Sequence, residues 1–218
     1  MVNQPISPPN LEYLPVQQTA PNHALSQEDL SKKLLMEADK LAKKNPTLAI
    51  PLYESIVDNG YGFSKEQAIG KLLDIHKLLV ERSALDARDE EKTISNALKF
   101  YDKIISNHPS SRHLATAYLY SGIQSWIVVS YGGTNGTDNP YIQAINRLEK
   151  AYENGIGDVK VEAAWNLSLV GIECTRVLTV GHLKCSSIAR KYLRLIQKLV
   201  PSSQYAEDAK NLLGLLPK

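Results

Sequence analysis

The chain has 218 residues, 43% of them hydrophobic and 22% charged, and 25 Lys+Arg against 23 Asp+Glu leave a formal net charge of +2. That balance excludes bulk attraction to nucleic acid or membrane, and two cysteines, Cys174 and Cys185, exclude a disulfide scaffold or the paired spacing of a zinc site. No apolar run reaches the roughly 18 residues of a membrane span, and the first ten residues lack the basic start and apolar core of a secretory signal, so a cytoplasmic, reducing location is expected.

Residues 1–22 hold Pro5, Pro8, Pro9, Pro15 and Pro21, five of the eleven prolines. Proline fixes φ and lacks an N–H, so this stretch reads as a flexible extended arm. Ser26 can cap a helix near 26–45, in which Leu30, Leu34, Ala38 and Leu41 recur at helical spacing. Further helices are predicted near 47–59, 64–82, 90–107, 111–129, 140–154, 159–178, 185–200 and 203–216. Ser64 with Gln67 reads as a capping box, Asn139 with Pro140 as a cap followed by proline at the first helical position, and Asp158 as a cap. Loops are expected at 83–89 and 131–140. The fold class predicted is all-α, with about nine helices: an arm at 1–22, a capping helix within 23–48, and a repeat domain over 49–218.

The repeat is visible without gaps. Segments starting at Ala49, Ala97, Ala144 and Ala189 align, 48, 47 and 45 residues apart. The fourth position after each alanine holds Tyr53, Tyr101, Leu148 and Leu193. The seventh holds Ile56, Ile104, Ala151 and Ile196, and the twentieth holds Ile69, Ala117, Ala164 and Ala209. One helical hairpin cannot bury its apolar face alone, so such units stack into a continuous core. Gly60, Gly62, Gly155 and Gly157, or Pro109 and Pro201, mark the turns.

The runs from Pro109-Ser110-Ser111 to Ala117 and Gly122, and from Pro201-Ser202-Ser203 to Ala206, Ala209 and Gly214, resemble tetratricopeptide repeats. Trp165 falls where that family often has tryptophan, and the unit around Gly155 and Gly157 resembles Sel-one-like repeats. The resemblance covers about residues 49–216 and implies a right-handed α-solenoid of four helix-turn-helix repeats. It further implies a non-catalytic adaptor or scaffold that holds a protein or peptide partner within a multi-protein assembly, in the manner of chaperone or secretion accessories. The first helix of each pair would line a groove. The family's groove positions fall on Lys71 and Ile75, then Thr116, Leu119, Tyr120, Ile123 and Trp126, then Asn166, Val170 and Glu173, then Asp208 and Asn211.

Chemistry is sparse in the sequence. The histidines lie in no nucleophile elbow or metal-binding motif, and His108 and His113 straddle a turn with no acidic neighbour in sequence. Gly132, Gly133 and Gly136 lack the lysine of a phosphate loop. No enzymatic activity, cofactor or metal is expected. Cys174 and Cys185 read as small core residues. Between Cys174 and Ala206 there is no Asp or Glu, and Arg190, Arg194 and Lys198 recur at i, i+4, i+8, with Lys191 beside them. Such a stripe suits a partner with an acidic surface. It offers an alternative reading as an electrostatic binder of nucleic acid or anionic membrane, although nucleic acid is disfavoured by the lack of stacking aromatics other than Tyr192. An unrecognised helical enzyme is the remaining alternative.

Overall fold

The computed structural model describes residues 26–84, 90–130, 141–177 and 182–216. Within them the chain forms nine helices and no strand: α1 Gln27–Lys44, α2 Pro46–Asn59, α3 Gly62–Ser83, α4 Glu90–Asn107, α5 Leu114–Ser130, α6 Ile142–Asn154, α7 Gly157–Val177, α8 His182–Leu199 and α9 Gln204–Leu215. The fold is all-α. The proline-rich arm, the Asn139-Pro140 cap and most of the two expected loops lie outside the described residues.

Local chemistry sets the helix starts. The Ser26 hydroxyl accepts the Asp29 N–H at 3.1 Å, and the Asn45 side chain accepts the Thr47 N–H at 3.0 Å. Two starts differ from the sequence expectation. Ser64 is not a cap: α3 begins two residues earlier, at Gly62, and Ser64 is buried inside it. Asp158 likewise sits in the first turn of α7, behind Gly157. Gly62 and Gly157 share one cause, a φ of +53° and +51°, which an L side chain rarely adopts. Each follows an Asn-Gly pair and lets the chain reverse at once into the next helix.

Every helix packs on its neighbour in sequence, and the odd-numbered helices also touch in turn, α1 with α3, α3 with α5 and α5 with α7. The result is a row of helical hairpins. The aligned positions of all four units, from Tyr53 to Ala209, are at most 1% exposed. Two apolar clusters fill the interior, one built from α1–α5 and one from α5–α9, with α5 contributing Ala117 to the first and Leu119 to the second. Close approach is greatest between α7 and α8. A Cβ on Gly171 would lie 2.9 Å from the Ala189 nitrogen and the Cys185 oxygen.

Directly beside that crossing, Cys174 and Cys185 are joined in a disulfide with Cα atoms 5.8 Å apart. The sequence alone suggests two separate core residues. They are core residues, at most 1% exposed, but the tight hairpin brings them face to face. Such a bond persists under oxidising conditions.

Candidate functional site

The faces of α3, α5 and α7 that meet along the odd-numbered row enclose a cleft of about 500 Å³. Each helix supplies an i, i+4 pair to it: Lys77 and Glu81 from α3, Tyr120 and Gln124 from α5, Glu162 and Asn166 from α7. Glu90, the first residue of α4, closes one side, and Val80, Ile123 and Ile127 give it an apolar floor. Such pairs lie one turn apart on a single helix face, which is why three helices can present six polar groups to one space.

Two carboxamides stand out. Gln124 is 6% exposed, and its buried Oε1 has no hydrogen-bond partner. An unpartnered buried polar atom costs on the order of 1–3 kcal/mol, so most such groups in proteins are satisfied. Asn166 is also buried and donates from Nδ2 to the Glu162 carbonyl at 2.8 Å. Lys77 holds its ammonium 5.2 Å above the Tyr120 ring and 3.9 Å from Glu81. Burial pulls the Lys77 ammonium toward a lower pKa, but Tyr120, Glu162 and Glu81 outweigh it together and leave the pKa raised, so the group stays charged. Burial raises the Tyr120 hydroxyl.

Behind the cleft runs an aromatic ladder. Tyr120 packs on Tyr101 at 6.0 Å between ring centroids. Tyr101 meets His76 edge-on at 6.3 Å, and His76 stacks on Phe100 at 4.8 Å. The Tyr101 hydroxyl and His76 Nε2 are buried without partners. Burial pushes the Tyr101 hydroxyl well up and the His76 imidazole down to about 4.

Of the residues singled out from the sequence, the cleft unites Tyr120, Ile123 and Asn166. Lys71 lies instead over the α1–α3 contact, 3.6 Å from Asp39, where Asp39, Tyr53, Asp74 and Ile75 line a separate hollow of about 360 Å³. Tyr53 donates its hydroxyl to Asp39 there at 2.5 Å. Thr116 is half-buried on α5 outside the cleft, and Asn211 is exposed on α9. Trp126 and Glu173 form a third group: the indole N–H donates to Glu173 Oε2 at 2.5 Å, and the Ser130 and Tyr141 hydroxyls donate to Oε1 at 2.9 and 3.2 Å. Burial and the nearby carboxylate push the Tyr141 hydroxyl up to about 12. This cluster ties α5, α6 and α7 together. Lys77, Glu81, Glu90, Gln124 and Glu162 were missed from the sequence. Gln124 and Glu162 stand one turn from the named Tyr120 and Asn166, a spacing that could have found them. Lys77 and Glu81 lie one to two turns beyond the named Lys71 and Ile75, because the cleft opens near the C-terminal end of α3.

The turn before α5 also differs from expectation. Glu66 of α3 reaches it and accepts the Ser111 hydroxyl at 2.9 Å and the Arg112 N–H at 3.2 Å. His108 and His113 therefore do have an acidic neighbour in space, although burial dominates and both imidazoles are lowered.

On α8, Lys184, Lys191, Arg194 and Lys198 are exposed and Arg190 is half-buried, so the outward stripe is centred on Lys191 rather than Arg190. Lys191 lies 4.6 Å over the Tyr192 ring, while Arg190, Arg194 and Lys198 have no ion-pair partner among the described residues. Among the described residues no helix is long and apolar enough to cross a membrane, and no cluster of three or more metal-capable side chains occurs. Comparison with known protein families, curated proteins and solved structures finds no match.

Proposed function

We propose that this chain is a non-catalytic adaptor, a stack of tetratricopeptide-like hairpins that grips a protein segment along the face made by α3, α5 and α7. The observation that carries the reading is the Gln124 carboxamide, buried in the wall of a polar-and-apolar cleft with its oxygen unpartnered. Beside it Asn166 adds a second carboxamide, and such groups can both donate to and accept from a peptide backbone. Tyr120 and the apolar floor would take a side chain. A role within a multi-protein assembly, of chaperone or secretion-accessory kind, rests on the sequence resemblance alone.

The test is panning a random seven-residue peptide library on phage against the protein. Peptides should be enriched whose binding falls at least tenfold in Gln124→Ala and Asn166→Ala. Enrichment that neither substitution affects would move the contact elsewhere.

A second reading is favoured by the α8 stripe, whose exposed Arg194 and Lys198 have no ion-pair partner among the described residues. It would attract an acidic surface, with affinity falling steeply as salt rises. Reversing charge at Arg194 and Lys198 should abolish that component and leave the cleft's peptides bound.

A further inference from the structure

The charge around the cleft is lopsided. Its lining carries three carboxylates, Glu81, Glu90 and Glu162, against one ammonium, Lys77. That ammonium is already engaged, between the Tyr120 ring and Glu81. Glu90 and Glu162 make no ion pair within 4 Å among the described residues, and Glu162 acts on Lys77 only at longer range, helping to keep that ammonium charged. Two carboxylates thus line a hollow large enough for several side chains, next to a buried carboxamide whose oxygen lacks a partner.

We propose that the cleft seats an extended peptide segment bearing a lysine or arginine, whose cation meets the Glu90 and Glu162 carboxylates while its backbone meets the Gln124 and Asn166 carboxamides. This deepens the adaptor reading and rests on it. The charge excess selects a cationic ligand, because a like-charged group would be repelled and a neutral one would leave both carboxylates uncompensated. The carboxamides select a peptide over a free amine: a simple polyamine has no carbonyl to receive an amide N–H, and no neighbouring apolar side chain to cover Val80, Ile123 and Ile127.

The experiment uses the full chain and an immobilised library of seven-residue peptides whose central position is fixed in turn as Lys, Arg, Glu or Ala, the others being degenerate. Wild type, Glu90→Gln/Glu162→Gln and Gln124→Ala/Asn166→Ala are compared, each checked for unchanged helical circular dichroism. The Lys and Arg sets should retain wild type at least tenfold more than the Ala and Glu sets. That preference should vanish in the Glu90→Gln/Glu162→Gln variant and should weaken as salt rises. Equal retention by all four sets, lost in Gln124→Ala/Asn166→Ala, would overturn the cationic partner and leave the adaptor standing. Preference for the Glu set would also overturn it. Retention by no set would overturn both.

Discussion

His76 joins the aromatic core at 7% exposure, stacked on Phe100, and burial lowers its pKa to about 4 from an ordinary 6.5. Between those two values the unfolded chain binds a proton that the folded chain refuses. Stability therefore rises with pH across the window, and the contribution is lost as pH falls below about 6.5. The loss by pH 4 should approach about 3 kcal/mol, at 1.36 kcal/mol per pKa unit. His108 and His113, lowered in the same direction, add to it. Urea unfolding of His76→Leu from pH 4 to 7 should give a visibly flatter profile than wild type; an equal slope would mean His76 does not titrate as buried. Glycines give a second contrast at this scale. Gly171→Ala would drive a methyl to 2.9 Å from two backbone atoms of α8, which cannot swing aside as a side chain can, and should cost about 1–3 kcal/mol. Gly214→Ala meets nothing within 4 Å in α9 and should stabilise by up to about 1 kcal/mol through helix propensity. Denaturation midpoints moving the same way would refute that contrast. Neither difference was legible in the sequence, where Gly214 sits at the repeat offset it shares with Gly122 and Gly171 sits at none.

Helices were easier to read than the contacts between them. All nine lie within a few residues of their expected spans, because amphipathic spacing and caps are local. What spans three helices was not legible. Arg147 of α6 donates from its guanidinium to Asp102 of α4 at 2.9 Å and to Ser125 of α5 at 3.1 Å, and it also bonds Ser121. In the sequence these are ordinary polar residues 22 to 45 apart. The Arg147 side chain is only 17% exposed. Arg147→Ala should therefore destabilise by about 2 kcal/mol through loss of these charge-assisted hydrogen bonds; the Ser121 and Ser125 hydroxyls keep their acceptors in Asp102 and the Ser121 carbonyl, and Asp102 remains half in water. Arg147→Lys should recover little of it, because an ammonium cannot reproduce the fork. Loss of less than about 0.5 kcal/mol would show that α4, α5 and α6 hold together by apolar packing alone. Trp165 falls where the resembled repeats often carry tryptophan, a position that suits a buried ring. It is instead half-buried on α7, edge-on to Tyr205 at 5.3 Å, since a neighbour from α9 covers only part of the ring. Its truncation should cost less than the 3–5 kcal/mol of a fully enclosed aromatic.

A stack of hairpins has no single centre. Each unit is held by its neighbours, and opening can begin at either end. The two apolar clusters meeting at α5 divide this chain into halves that share one helix. The Cys174–Cys185 disulfide lies wholly in the second half, across α7 and α8. The repeat register was readable from four alanines, but this bond was not: a spacing of eleven residues says nothing of proximity until the hairpin's close crossing at Gly171 is known. Closing so short a loop should stabilise the folded state by roughly 3 kcal/mol through the unfolded chain's lost entropy. Because both sulfurs are buried, reductant should act slowly on the folded protein. Hydrogen exchange of Cys174→Ser/Cys185→Ser against the oxidised protein should therefore show protection lost first in α7, α8 and α9, with α1–α4 close to wild type. Protection that falls equally in all helices would mean the chain unfolds as one unit, and the division at α5 would carry no energetic meaning. Unchanged protection throughout would mean that the hairpin's packing, rather than its covalent link, sets the stability of the second half.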